Sequence, residues 1–350
     1  MDLTTPYLGL TLSNPLVASA GPLSQTLDGI RSLAEGGVGA VVMFSLFEEQ
    51  LRRQAARDSR LIDAHTHSFA EALDYLPDPA GGAPHLAQSY LTLVERAARE
   101  IDIPVIASLN GADMGGWVSF GRDLQDAGAA ALELNIYFVP GDLTTSGSRV
   151  IAQHLEIVTA VTEAVGIPVA VKMSPYFSAV GDVALRLVDA GADGLVLFNR
   201  FLQPDVDVET LEASTAWALS VPDEGRLPRT WIAALRRHTT ASLAATTGVA
   251  DGTDVVKNLL VGADVVMSTS ALIRHGAGYA RTMLDELEAY LERKDFADLD
   301  ALRGLLAVPP EVEGNAWQRS SYVAAMERAK AIYGTLEGST SGAWTSESPA

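Results

Sequence analysis

Cysteine is absent from this chain, and positive charge is scarce. The absence of cysteine excludes disulfide bonds, thiolate metal sites and a cysteine nucleophile or base. The chain has 25 Lys and Arg residues against 44 Asp and Glu residues, which gives a formal net charge of −19. Because nucleic acids and anionic membranes attract positive protein surfaces, this balance disfavours both as partners.

Long apolar segments and clustered histidines are missing as well. No apolar run approaches the roughly 20 residues of a membrane-spanning helix, and the first residues, MDLTTPYLGL, lack the features of a signal peptide. We therefore expect a cytoplasmic protein. The six histidines form no metal-binding motif, and His65 and His67 stand in a polar segment where solvated loop residues are expected rather than ligands. We predict no metal site.

Eight short apolar runs are the main pattern that the sequence does contain. Each is too short for a buried helix and lacks polar alternation, which is typical of parallel strands covered on both faces. Four of the runs come directly after a helix-ending glycine, and stretches with helical spacing, such as 183–188 and 255–260, separate most of them. The runs cover residues 14–20, 36–44, 103–109, 127–135, 167–173, 190–198, 241–247 and 261–269.

The eightfold repetition of strand and helix predicts an α/β fold, a single (β/α)8 TIM barrel. Such a barrel needs roughly 250 residues. We assign the surplus to loop insertions at residues 50–84 and 200–230 and to C-terminal helices at 279–306 and 315–333. The predicted parts are a barrel over residues 1–310, a helical extension over 311–334 and a disordered tail over 335–350.

Chemistry in a barrel of this kind gathers at the carboxyl ends of its strands. Lys172 ends the fifth run, where it would either face an anion, an aromatic ring or a carbonyl, or form a salt bridge within the barrel mouth. Asn135 ends the fourth run, and Asn199 follows the sixth. Buried side-chain amides need partners, since an unpaired one costs about 1–3 kcal/mol. These three residues predict a site for a flat, carbonyl-rich ligand.

Two further loops predict an anion site. Thr247 and Gly248 follow the seventh run, and Thr269 and Ser270 follow the eighth. Glycine lets backbone N–H groups approach a ligand closely, and barrels often bind phosphate at these two loops. The alternative is that the hydroxyl side chains only cap the helices that follow.

Four segments carry a resemblance to a known family. They are VKMSPYFSAV, ASAGPLS after the first run, the ELN ending of the fourth run, and ELEAYLERKDFADLDALRG after the eighth. From about residue 3 to residue 306, the chain resembles the dihydroorotate dehydrogenase family. The resemblance implies an FMN-dependent oxidoreductase of pyrimidine biosynthesis, which passes electrons between dihydroorotate, orotate and a second acceptor.

The resemblance also implies a class of enzyme and a type of assembly. Family members that use membrane quinone carry a helical extension before the barrel, whereas here the first run begins at about Asn14. The chain therefore resembles the soluble class, whose electron acceptor is fumarate or a partner subunit. That class implies a homodimer with a small-molecule substrate.

Individual residues acquire roles from the same resemblance. Lys172 matches the lysine that faces the pyrimidine edge of the flavin, where a cation stabilises the negative charge that reduction builds. Asn135 matches an asparagine of the cofactor and substrate sites, and Asn199 matches one that binds orotate. The other implied cofactor contacts are Ala18, Ser19, Ala20, Gly21, Ser45, Thr247, Gly248, Thr269 and Ser270.

The substrate half of the site departs from the family pattern. A cysteine or serine base is expected near the position of Phe138, and Phe44 stands where a lysine is expected after the second run. Tyr137 and Ser174 are the hydroxyl candidates for the missing base. Arg200 is either a partner for a substrate carboxylate or an exposed loop residue.

Three hypotheses follow. The first is an FMN-dependent oxidoreductase that acts on dihydroorotate or a related planar ring. The second is a flavin-binding homologue without this activity, which acts in regulation or in electron transfer to a partner protein. The third is a phosphate-binding lyase in which Lys172 forms a Schiff base with its substrate.

Overall fold

The computed structural model describes residues 1–47, 86–111, 117–136, 143–201, 204–214, 218–312 and 314–333. Within these ranges, eight parallel strands close into a barrel that helices surround, so the predicted (β/α)8 fold is confirmed. The predicted insertion at 50–84, the tail at 335–350, His65, His67, Tyr137 and Phe138 lie outside the described residues.

Every one of the eight apolar runs overlaps a barrel strand. The barrel closes because the strand at residues 16–18 pairs with the strand at 40–42 on one side and with the strand at 265–268 on the other. The strands are β1 (Thr5–Tyr7), β2 (Leu10–Leu12), β3 (Leu16–Ala18), β4 (Ala40–Val42), β5 (Leu46–Phe47), β6 (Val105–Gly111), β7 (Ala131–Ile136), β8 (Val169–Lys172), β9 (Gly194–Leu197), β10 (Asp205–Asp207), β11 (Glu212–Ser214), β12 (Ser242–Ala245) and β13 (Val265–Ser268). The barrel itself consists of β3, β4, β6, β7, β8, β9, β12 and β13.

Helices connect the barrel strands and cover their outer faces. Gly191 and Gly262 adopt positive φ angles of 106° and 111° shortly after two of these helices, which confirms the predicted left-handed helix ends. The helices are α1 (Leu27–Glu35), α2 (Leu86–Glu100), α3 (Trp117–Asp126), α4 (Gly147–Thr162), α5 (Val180–Asp189), α6 (Arg226–Leu235), α7 (Gly252–Leu260), α8 (Ser270–His275), α9 (Tyr279–Arg293), α10 (Leu299–Leu302) and α11 (Gly314–Tyr333).

The prediction of a continuous helix over residues 279–306 is wrong. Helix α9 ends at Arg293, and Asp295 adopts a positive φ of 57°, which a continuing helix cannot accommodate. The Asp298 side chain then accepts a hydrogen bond from the N–H of Ala301 at 2.8 Å and starts the short helix α10. Local capping therefore divides this segment into two helices.

An antiparallel hairpin, β1–β2, closes the amino-terminal end of the barrel, and the apolar pattern did not predict it. Its turn residues Leu8 and Gly9 both have positive φ angles, 52° and 72°, as a two-residue hairpin turn requires. Tyr7 and Leu12 are each 1% exposed. The Leu8 N–H donates to Ser242 Oγ at 2.9 Å at the start of β12, so the hairpin fills the bottom of the barrel.

The interior of the barrel changes from apolar to polar along its axis. Near the hairpin it is filled by small and branched side chains such as Ala131, Ala170 and Val196. Because alternate residues of a strand share a face, Glu133 follows Ala131 and Lys172 follows Ala170 on the inward side. The carboxyl ends of the strands therefore form the polar end of the barrel, where a functional site is expected.

Packing divides the chain into a compact unit of residues 1–307 and a second unit of residues 308–350. In the second unit the helix predicted at 315–333 is found as α11. No helix in the described part of the chain is long and apolar enough to cross a membrane. The described residues also contain no group of three or more His, Asp or Glu side chains placed to hold a metal ion.

Candidate active site at the barrel mouth

A buried ion pair lies inside the polar end of the barrel. Lys172, the last residue of β8, is 7% exposed, and its Nζ donates to Glu133 Oε1 at 3.4 Å. The same Nζ donates to Ser19 Oγ at 3.5 Å. The salt bridge considered for Lys172 therefore exists. Since an ammonium group has three donors and both contacts are long, Nζ keeps the capacity to bind a further acceptor.

Two buried acceptors beside this lysine lack partners. Asn135 is paired in register with Lys172 and is 6% exposed, and its Oδ1 accepts no hydrogen bond from any described residue. The same holds for Oε2 of Glu133, which is 1% exposed. An unsatisfied buried polar atom costs about 1–3 kcal/mol. Asn135 thus offers an acceptor that is ready for a ligand donor.

A cavity of about 850 Å³ lies at the mouth of the barrel. Three asparagines line it, Asn110 from β6, Asn135 from β7 and Asn199 after β9. Phe44 and Phe47 contribute its apolar wall. Amides of this kind can donate to and accept from the carbonyl and N–H groups of a flat heterocycle.

One wall of this cavity is held in place by Tyr90 of α2. Its ring meets Phe44 edge to face with the centroids 5.0 Å apart, and its hydroxyl accepts from the Ser108 N–H at 3.1 Å. The hydroxyl also lies 3.0 Å from the carbonyl oxygen of Phe44, to which it donates. Burial raises the pKa of Tyr90, so it stays a neutral donor. Ser45 is fixed by a 2.8 Å hydrogen bond to the Ser108 hydroxyl.

A second cavity of about 230 Å³ adjoins the first and shares Ala20, Asn199, Arg200 and Thr269 with it. Three loops meet there. The N–H of Gly248 donates to Ser220 Oγ at 3.3 Å, and the Ser220 hydroxyl lies 2.9 Å from Ser270 Oγ. Lys172 and Arg200 add positive charge to its wall. These hydrogen bonds join the three loops, and the two cations beside them would favour an anion in the cavity.

The loop after β12 has an unusual backbone. Gly248 has a φ of 71°, and Thr247 has a φ of 78°, which is rare for a β-branched residue. The Thr247 hydroxyl donates to the carbonyl oxygen of Phe198 at 3.2 Å. Backbone strain of this kind costs about 1–3 kcal/mol and clusters at ligand-binding sites.

The turn after β3 packs directly against the loop after β13. The Thr269 hydroxyl donates to the carbonyl oxygen of Ser19 at 2.8 Å. A Cβ atom on Gly21 would lie 2.6 Å from Cγ2 of Thr269, so only glycine fits there without movement. This contact joins the first and last strands of the barrel at the mouth.

Comparison with known proteins identifies the family. Residues 2–291 match the family model for dihydroorotate dehydrogenase. The chain belongs to the dihydroorotate dehydrogenase family. The predicted resemblance is thereby confirmed, and the chain is a dihydroorotate dehydrogenase-like oxidoreductase.

Relatives within the dihydroorotate dehydrogenase family are distant, and three of them match between 58% and 87% of the chain. The catalytic subunit of dihydroorotate dehydrogenase B (NAD(+)) from Thermoplasma acidophilum is 24% identical over 87% of this chain and 98% of its own length. The corresponding subunit from Methanocella arvoryzae is 26% identical, with 87% and 98% covered. The dihydroorotate dehydrogenase A (fumarate) of Lactobacillus helveticus is 26% identical over 58% of this chain and 67% of its own length.

Of the predicted site residues that the structure describes, all but two line the cavities at the barrel mouth. Ala18 is buried within β3, and Ser174 is buried in the turn after β8, where its hydroxyl accepts the Tyr176 N–H at 3.1 Å. Neither lines one of the two cavities. Those that line them are Ser19, Ala20, Gly21, Ser45, Asn135, Lys172, Asn199, Thr247, Gly248, Thr269 and Ser270.

The sequence did not predict Asn110, Ser220 or Glu133 as site residues. It left the role of Arg200 open. Asn110 directly follows the third apolar run, near the end of β6, so the rule that identified Asn135 would have found it as well. Ser220 lies in the segment after β11, far from any strand end, and no local signal marks it. Glu133 lies inside one of the apolar runs, so its position along the sequence gives no sign of a role at the site. Arg200 is only partly exposed, because its guanidinium contacts Glu224 at 3.0 Å and the carbonyl of Ala218.

Proposed function

We propose that this chain is an FMN-dependent oxidoreductase that oxidises dihydroorotate or a related planar ring. A buried cation beside an unpaired amide oxygen, Lys172 beside Asn135, is the observation that carries the proposal. The pyrimidine edge of a flavin presents carbonyl oxygens and an N–H group. A lysine that can bind another acceptor and an amide oxygen without a donor match those groups chemically.

The smaller cavity supplies the second part of the fit. FMN ends in a phosphate, which the Gly248 N–H and the Ser220 and Ser270 hydroxyls would hold by exchanging their bonds to one another for bonds to the phosphate. When bound, FMN would accept the hydride, with its two electrons, that the substrate gives up. Lys172 would favour that transfer, since a fixed cation stabilises the negative charge that develops on the cofactor.

The asparagines of the larger cavity would orient the substrate ring. Asn110 and Asn199 stand on opposite sides of Asn135 around the mouth, and Arg200 offers a cation for an acidic substituent. Neither candidate for the base that accepts the substrate proton gains support from the cavities. Ser174 accepts a backbone hydrogen bond and lines neither cavity, and the role of Tyr137 as a base stays a prediction. General base catalysis is worth about 10²- to 10⁴-fold, so we expect slow turnover of dihydroorotate.

The larger cavity also favours a second candidate, a flavin-binding homologue that does not oxidise dihydroorotate. Phe44 and Phe47 place apolar rings on its wall, and apolar rings add no charge for recognising a carboxylate. The lyase hypothesis is disfavoured. Its Schiff base would need the Lys172 Nζ to attack a carbonyl carbon, whereas this Nζ already contacts Glu133 Oε1 and Ser19 Oγ.

The purified protein tests these candidates. We expect flavin absorbance and, after acid release, FMN as the only flavin, and we expect dihydroorotate to bleach the bound flavin under anaerobic conditions. Flavin that stays oxidised with every dihydropyrimidine tried would instead favour the homologue without that activity. A colourless protein that takes up no added FMN would contradict the proposal.

A pair of lysine variants makes the test specific. Lys172→Met should lower the rate of flavin reduction by about 10²-fold or more, because it removes the cation at the cofactor. Lys257→Met is the matched control, since Lys257 is 48% exposed and lies on α7 outside both cavities. Its reduction rate should equal that of the wild type. Equal rates in both variants would remove Lys172 from the mechanism.

We also propose a homodimer that acts in the cytoplasm on a small molecule of pyrimidine biosynthesis. Its electrons would pass to fumarate or to a partner protein, the two acceptor types of the relatives' class. Light scattering at several protein concentrations would test the dimer. Stopped-flow mixing with fumarate would test the acceptor, since reduced flavin that fumarate does not reoxidise would favour a partner protein.

A further inference from the structure

Glu133 is a buried charge to which the proposed function gives no role. We propose that Glu133 is a positioning residue for Lys172: its carboxylate fixes the ammonium at the mouth and offsets part of its charge, and so sets how strongly the bound cofactor attracts electrons. The inference rests on the proposed function. It adds a residue that controls the cofactor without touching it.

The geometry places the carboxylate below the lysine. Glu133 and Lys172 lie on the neighbouring strands β7 and β8, and Asn135, two residues beyond Glu133, is the register partner of Lys172. The inward side chain of Glu133 therefore comes one layer deeper in the barrel than the ammonium. Its Oε1 accepts from Nζ at 3.4 Å, which draws the lysine back toward the barrel axis.

The carboxylate is poorly screened at this depth. Glu133 is 1% exposed, and its Oε2 has no hydrogen-bond partner among the described residues. Its field reaches side chains on both sides of it. Burial raises the pKa of Tyr7 below it, and the negative charge of Glu133 raises that pKa further. Burial together with the same charge raises the pKa of Tyr90.

A charge that acts on two tyrosines also acts on a cofactor in contact with Lys172. Reduction adds negative charge to the cofactor, which the ammonium stabilises and the carboxylate opposes. Removing the carboxylate charge while keeping its shape should therefore favour the reduced cofactor. We expect Glu133→Gln to raise the equilibrium constant for reduction about tenfold, a shift of about 30 mV to more positive potential for a two-electron couple.

The measurement is the midpoint potential of the bound flavin, determined by equilibration with a reference dye in the full-length holoprotein. Glu156→Gln is the matched control, because it removes the same charge from an exposed glutamate of α4. We expect the control to keep the wild-type potential. Lys172→Met should shift the potential in the opposite direction, and the double variant should depart from the sum of the single shifts because the two groups interact.

Folding is checked independently by far-UV circular dichroism. If Glu133→Gln does not fold, Glu133→Asp carries the test, since it keeps the charge but withdraws it by one methylene group. Its potential should move in the same direction by less than tenfold in the equilibrium constant. A potential for a folded Glu133 variant within error of the wild type would overturn the role of Glu133 while leaving the cofactor in place. If the wild type binds no flavin, both the function and this inference fail.

Discussion

At Gly248 the surrounding backbone leaves no room for a side chain. Its φ of 71° favours glycine, and a Cβ atom there would lie 2.4 Å from the backbone nitrogen of Gly225. We expect Gly248→Ala to destabilise the protein by more than the roughly 1–2 kcal/mol of left-handed strain alone, because the backbone must also move. It should weaken FMN binding as well. Chemical denaturation and flavin titration would measure the two effects.

Gly9, in the turn of the β1–β2 hairpin, provides the control for the backbone part of that effect. Its φ of 72° is nearly the same, but a Cβ atom would meet nothing within 4 Å. Gly9→Ala should therefore cost only about 1–2 kcal/mol and leave flavin affinity unchanged. If both variants lost the same stability, the steric contact with Gly225 would not matter.

At the scale of elements, the β1–β2 hairpin is important for stability and lies at the opposite end of the barrel from the candidate active site. Leu12 is 1% exposed at the closed end of the barrel, opposite the mouth. We expect Leu12→Ala to cost about 2–5 kcal/mol by leaving a cavity. The absorbance spectrum and affinity of the bound flavin should be unchanged, since residues at this end of a barrel act on stability.

Leu305→Ala is the matched comparison, because Leu305 is 56% exposed and the substitution is the same. We expect its stability to stay within about 0.5 kcal/mol of the wild type in urea or thermal unfolding. An equal loss in the two variants would mean that the hairpin does not act as part of the barrel core.

At the scale of the whole molecule, two buried tyrosines control stability at high pH. Burial raises the pKa values of Tyr7 and Tyr90 above the ordinary value of 10.0. Above about pH 10 the unfolded chain loses these protons while the folded protein keeps them, so the folded state binds more protons. Their contribution to the free energy of unfolding is fully present below about pH 10 and is lost progressively as the pH rises above it. The expected slope is about 1.4 kcal/mol per pH unit for each tyrosine.

Urea unfolding between about pH 9 and pH 11.5 measures this slope. Tyr7→Phe should reduce the slope by the contribution of one tyrosine proton. Tyr322→Phe is the matched control, because it removes the same hydroxyl from a tyrosine that is 67% exposed. A slope that stayed the same in Tyr7→Phe would show that Tyr7 ionises in the folded protein.

The amino-acid sequence by itself determined the barrel. Short apolar runs and glycine helix ends are local features, and they located all eight barrel strands because burial on both faces leaves few polar residues in a strand. The same rule located Lys172, Asn135 and the loops after β12 and β13, since strand ends are readable from the runs. The hairpin β1–β2 escaped it, because three-residue strands carry too little pattern.

Tertiary structure decided which of these residues act on one another. The ion pair between Glu133 and Lys172 depends on the register of β7 and β8, and no spacing along the chain encodes that register. Ser220 reaches the cavity from a loop between β11 and β12, so its contact with Gly248 and Ser270 exists only after the barrel has closed. Local sequence fixes strands and their ends, whereas partners distant along the chain are set by packing.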